Sequence, residues 1–162
     1  MITVKINGEE RQYPQGATYE DVANDYQKEY DNLIALAARD GKIRELFKKL
    51  TRDCEITFFT LKDDVGNKTY VRSATMLFLK AVFDVFGRET VQNCRVEFAI
   101  GNGSYISPKG KINATEENAA KIRNRMRELV EAKTPFLKRS YSLDNAMELF
   151  RKEGMKDKEK LF

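Results

Sequence analysis

The feature that most constrains this chain is an uninterrupted run from Thr69 to Phe86, with no proline or glycine inside it and Gly87 directly after it. Such a run reads as one helix, with Thr69 as the capping hydroxyl and Gly87 free to take the left-handed conformation that ends many helices. At about 100° per residue, Val71, Ala74, Leu77, Phe78, Ala81, Val82, Val85 and Phe86 cover most of the circumference, so the spacing predicts a helix buried on several sides. Its one polar stripe holds Arg72, Ser73, Met76, Lys80 and Asp84. Arg72, Met76 and Lys80 stand one above another at i, i+4 and i+8, and any chemistry on the helix must come from that stripe.

The rest of the chain must supply neighbours for this helix, and with 162 residues, 41% hydrophobic and 33% charged, it is long enough to do so in one domain or two small ones. Apolar runs such as Leu33 to Ala38 are too short to span a bilayer, and Met1-Ile-Thr-Val-Lys5 lacks the build of a signal peptide, so a cytoplasmic setting without membrane contact is expected. Cys54 and Cys94 cannot make a disulfide framework. There is no histidine, which removes the commonest general base and the commonest neutral metal ligand; no bound transition metal and no catalytic residue are expected. The formal charge of +4 is mild but uneven. Lys121, Arg123, Arg125 and Arg127 follow one another without an acid between them, making a second candidate surface for an anionic partner, although a solvated helix face has the same pattern.

Read in order, Ile2 to Ile6 alternates as a strand, Asn7-Gly8 is a hairpin turn and Glu9 to Tyr13 returns. Thr18 caps a helix to about Tyr30 with Tyr19, Val22, Ala23 and Tyr26 inward. Leu33 to Ala37, Lys42 to Leu46 around Asp40-Gly41, and Glu55 to Thr60 complete the strands of a β-grasp order. Lys62 to Lys68 is a polar connector. Beyond the long helix, Cys94 to Ile100 and Ser104 to Ile106 are strands joined by the turn Gly101-Asn-Gly103, and Pro108 to Gly110 turns again. Thr115 caps a helix that Thr134-Pro135 stops, Phe136 to Ser140 is read as a strand, and Ser142 caps a last helix, Leu143 to Lys152, facing inward through Leu143, Ala146, Met147, Leu149 and Phe150.

Asn7-Gly8, Gly16-Ala-Thr18, Asp21-Val-Ala23, Ile34-Ala-Leu-Ala37, Asp40-Gly41 and Asp53-Cys-Glu-Ile56 resemble, in order, the TGS domain, a β-grasp module found at the N-terminus of threonyl-tRNA synthetase and in stringent-response and GTPase proteins. The pieces Arg72-Ser-Ala-Thr-Met76, Gly101-Asn-Gly-Ser-Tyr105, Thr115-Glu-Glu-Asn118, Met126-Arg-Glu-Leu129 and Ala146-Met-Glu-Leu-Phe150 resemble the editing domain of threonyl- and alanyl-tRNA synthetases. The resemblance implies an α+β chain: a TGS-like β-grasp domain over 1–61, a linker over 62–68, and an editing-like α+β domain over 69–162 with a central buried helix against a sheet. It also places Arg72 and Met76 where the synthetases carry paired histidines of the editing site.

The pairing of a TGS domain with a histidine-free editing-like domain is similar to the front end of bacterial uridine kinase-like nucleoside kinases. That resemblance implies a downstream P-loop kinase domain, and Lys156 to Phe162, still helical in pattern, accords with a longer chain. No Gly-x-x-x-x-Gly-Lys-Ser/Thr run is present, so no cofactor is expected here, and ATP with magnesium only in the kinase domain. The expected function is a non-catalytic accessory module of the kinase that binds RNA, transfer RNA or a nucleotide. Its candidate anion cleft holds Arg72, Ser73, Met76, Lys80 and Tyr105, where arginine and lysine stand in place of a metal. The alternatives are a hydrolase that removes misattached amino acids from tRNA, and a structural or dimerisation spacer.

Overall fold

In the computed structural model the chain forms an α+β fold, and the structure describes residues 1–101, 103–108 and 113–161. The expected turn residue Asn102, the 109–110 part of the turn after Pro108, and Phe162 lie outside the described residues. The chain divides into two compact units, Met1–Ala74 and Thr75–Phe162.

The first unit is a β-grasp: a five-stranded mixed sheet in the order β2-β1-β5-β3-β4 with a helix over Tyr19–Tyr26, and it also takes in the start of a long helix that continues into the second unit. Strands β1 (Ile2–Ile6) and β2 (Glu9–Tyr13) are antiparallel around Asn7 and Gly8, whose φ values of 51° and 88° are those of a two-residue hairpin turn whose twist matches the strands. Asp40 and Gly41, at 49° and 76°, do the same between β3 (Ile34–Arg39) and β4 (Lys42–Arg44). Strand β5 (Cys54–Thr60) runs between β1, to which it is parallel, and β3, to which it is antiparallel. Helix α1 (Tyr19–Tyr26) begins at a reciprocal capping box in which the Asp21 amide donates to the Thr18 hydroxyl and the Thr18 amide donates to the Asp21 carboxylate. It ends earlier than expected, because Gln27–Glu29 tightens into a 3-10 turn.

The buried face of α1 brings Tyr19, Val22, Ala23 and Tyr26 onto Val4, Ile6, Ile56 and Phe58 of the sheet. Phe58 lies between two aromatic rings, at 6.2 Å from Tyr26 and edge-on at 6.0 Å to Tyr30. At the rim the Tyr13 hydroxyl donates to Asp25 at 3.0 Å. Burial, and then that carboxylate, push the Tyr13 phenol up to about 12 from its ordinary 10.0. A phenol held protonated in the fold stabilises it below pH 10, and that contribution is lost as pH rises through about 12. Stability measured by urea unfolding should therefore fall across this alkaline window, and Tyr13→Phe should flatten the fall.

The long helix α2 spans Asp64–Phe86, five residues more at its start than the sequence predicts. The expected connector is instead a corner and the helix's first turn. Asp63 accepts from both the amide (2.7 Å) and the hydroxyl (2.9 Å) of Thr60, and Gly66 packs against the Thr60 carbonyl. Thr69, expected as the cap, lies inside the helix and donates its hydroxyl to the Val65 carbonyl. Gly87, at φ 82°, ends α2 as expected and leads into a short helix that the sequence did not announce, α3 (Arg88–Gln92).

In the second unit, β6 (Cys94–Ile100) and β7 (Gly103–Pro108) form a two-stranded antiparallel sheet. They are followed by α4 (Glu116–Glu131), α5 (Leu143–Lys152) and α6 (Lys156–Glu159). Thr115 and Ser142 cap α4 and α5 as the sequence predicts. Three expectations are corrected. The α2 helix is not buried all round, since within this unit only Ala81 and Val82 are fully covered while Met76 and Phe83 are exposed. Residues 136–140 form no strand, and Phe136 and Leu137 are exposed. Leu143 and Leu149 of α5 are exposed rather than inward.

Candidate functional site

The polar stripe of α2 divides at the unit boundary. Arg72 and Ser73 belong to the first unit; Arg72 is exposed with no ion-pair partner among the described residues, and the Ser73 hydroxyl donates to the Thr69 carbonyl at 3.1 Å. Met76 and Lys80 belong to the second. They line a hollow of about 320 Å³ with Leu129, Thr134 and Pro135, so it is built against the end of α4 and the segment beyond it rather than against the sheet. The resemblance sets the central helix against a sheet, but Met76 and Lys80 of the stripe face the end of α4 instead. Tyr105, on β7, lines neither this hollow nor the larger one described below, and its ring stacks on Phe98 at 5.1 Å.

Lys80 is not a free cation. Its ammonium bonds to Asp84 one turn on and lies 5.6 Å from the Phe83 ring centroid. Asp84, whose side chain is only 16% exposed, also accepts from Arg125 Nε at 2.9 Å, and Arg125 in turn reaches Glu128 at 2.8 Å. The row Lys80, Asp84, Arg125 and Glu128 thus ties α2 to α4. The hydrogen bond from Lys80, then that from Arg125, hold the Asp84 carboxyl below its ordinary 3.8, against the opposing effect of burial. A depressed carboxyl stabilises the fold above its unfolded value and loses that contribution as pH falls through the folded one. Asp84→Ala should therefore lower stability at pH 7 and remove part of the acid limb below about pH 4, as read by urea unfolding at both pH values.

The larger hollow, about 520 Å³, opens on a different face of α2. It is lined by Phe78 and Val82, by Cys94 and Ile106 of the hairpin and by Ile122 and Met126 of α4, with Thr115, Asn118 and Arg123 as its polar lining. Burial pushes the Cys94 thiol up, which keeps it a thiol near neutral pH and a poor nucleophile or metal ligand. Among the described residues no three His, Cys, Asp or Glu side chains gather as a metal cage would. The sequence carried the signal for this hollow in the i, i+4 pairs Phe78 with Val82 and Ile122 with Met126, which read equally well as ordinary core.

On α4 the basic series is largely neutralised by its own helix. Lys121 pairs with Glu117 at 2.7 Å, Arg123 with Glu116 at 3.5 Å, and Arg125 with Asp84 and Glu128. Arg127 alone of the four is exposed with no acidic partner among the described residues. Exposed pairs of this kind contribute little to stability, but the acids beside three of the four cations cancel most of the positive field that the series promises.

No protein-family profile matches the chain. The chain is similar to threonine–tRNA ligases along nearly its whole length. The ligase of Thermotoga maritima is 29% identical over 160 residues, which is 96% of this chain and 24% of the relative. That of Maricaulis maris is 28% identical over 155 residues, and that of Pelagibacter ubique 26% over 154, each covering 95% of this chain and 24% of the relative. The chain therefore spans about a quarter of the length of the curated relatives it matches. No helix among the described residues is long and apolar enough to cross a membrane.

Proposed function

We propose that this chain is a non-catalytic accessory module that holds RNA, and transfer RNA first, for a catalytic domain elsewhere in a longer protein. The observation that carries the reading is the similarity of 95–96% of the chain to one quarter of enzymes named for joining threonine to tRNA. The absence of any histidine supports a binding rather than a hydrolytic role, because Arg72 and Met76 stand where the resemblance to the synthetase editing domain puts paired histidines. The finer reading keeps the parent protein a uridine kinase-like nucleoside kinase, supported by the pairing of a TGS-like and a histidine-free editing-like half.

The test is a titration with unfractionated tRNA and with uridine nucleotides at two salt concentrations, for the wild type and for Arg72→Ala/Lys80→Ala. Binding of tRNA that weakens with salt supports the module reading, and a weaker double variant assigns the α2 stripe to it. Absence of binding to both probes sinks it. A hydrolase remains the second reading, favoured because the relatives' own name ties them to aminoacylated tRNA. Release of a misattached amino acid from tRNA by the purified chain, measured against buffer, would establish it over the first.

A further inference from the structure

The β6–β7 hairpin carries an aromatic pair that is about half exposed among the described residues. Cys94, Ser104 and Ile106 face the larger hollow, so strand alternation turns Tyr105 and Ser107 to the opposite face. The register shifts between Val96 and Phe98, and this irregularity brings Phe98 opposite Tyr105. The two rings then stack with centroids 5.1 Å apart and planes 23° from parallel. Phe98 is nonetheless 56% exposed and Tyr105 45% exposed. Arg95 lies opposite Ser107 in the register and so shares their face; it is exposed with no ion-pair partner among the described residues.

Near-parallel rings presented to solvent offer a flat π-face, and an unpaired cation beside them offers a phosphate contact. That combination is what sequence-tolerant binding of single-stranded nucleic acid needs, since every base has a face to stack and every linkage a charge. The net charge of +4 has the sign for the same partner. We infer that the Phe98–Tyr105 pair is a stacking platform for unpaired bases of RNA, with Arg95 against the backbone phosphate. This rests on the RNA-binding reading above and names the surface for it.

The test uses fluorescence anisotropy of end-labelled oligouridylate and oligoadenylate of about ten nucleotides, with tRNA in parallel. Phe98→Leu/Tyr105→Leu keeps an apolar surface but removes the π-face, and should weaken binding about 10- to 100-fold while leaving the salt slope unchanged. Arg95→Ala should lower the magnitude of the slope by about one. If the double variant loses its far-UV circular dichroism, the single Tyr105→Leu takes its place, with an expected loss of at least about fivefold. Equal affinity of the leucine variants and the wild type would overturn the platform. So would a wild type that binds tRNA but neither oligomer, or a change in the mass of the free protein on substitution, which would make the face a contact between copies. A wild type that binds none of the three RNAs removes the RNA-binding reading itself.

Discussion

Gly66→Ala should destabilise the first unit by about 2 kcal/mol or more, a drop of the order of 10 °C in its thermal midpoint. Helix propensity alone predicts the reverse sign, since alanine gains about 1 kcal/mol over glycine inside a helix. The reversal comes from the corner between β5 and α2. A Cβ on Gly66 would press into the Thr60 carbonyl oxygen and stand 2.8 Å from its carbonyl carbon, and both are backbone atoms that cannot rotate away. Thr60 is itself held in place by its amide and hydroxyl bonds to Asp63. Relief therefore requires the helix to lift from the strand. A midpoint equal to or above the wild type's would show that the corner yields.

The second large effect is expected at Phe58. Its ring is 5% exposed, packed beneath α1 between Tyr26 and Tyr30. Phe58→Ala removes the central ring of that aromatic row, and such truncations cost about 3–5 kcal/mol. For a unit of this size that is a large share of a total of about 5–15 kcal/mol. The urea midpoint should fall sharply with an unchanged slope, and the near-ultraviolet tyrosine signal should weaken because Tyr26 and Tyr30 lose their partner. A shift below about 1 kcal/mol would mean that the site collapses around the deletion.

What the sequence disclosed about the fold is what depends on neighbours in the chain. Asn7-Gly8 and Asp40-Gly41 announced their turns, and Thr18, Thr115 and Ser142 announced their helices, because each acts on backbone groups within three residues. Gly66 misled for the opposite reason. Within a polar stretch it reads as a linker residue, and only the approach of the Thr60 carbonyl explains it as part of a helix. Phe136 to Ser140 has the composition of a strand, but a strand exists only when paired, and no described segment pairs with it.

The candidate site was legible to a lesser degree. Arg72, Met76 and Lys80 lie along one helix at i, i+4 and i+8, yet which neighbour they meet is a tertiary question, and Met76 and Lys80 meet the end of α4. The neutralisation of Lys80 by Asp84 follows from their i, i+4 spacing. The third partner, Arg125, lies 41 residues away in the chain and had no local trace. Phe98 and Tyr105 likewise became a pair only through the irregular register of β6 and β7.

The position of β5 also dictates an order of events during synthesis. Because it lies between β1 and β3, neither the first hairpin nor the β3–β4 pair can join the other until residues 54–60 have been made. The loop that must then close runs from Cys54 back to Val4 of β1, and such closure is slow compared with forming a hairpin. Until it happens, the edges of β1 and β3 that β5 will occupy stand open to any other extended segment. A nascent chain that has emerged only as far as residue 53 would thus expose two unpaired strand edges, and one that has emerged past Thr60 would expose neither of them.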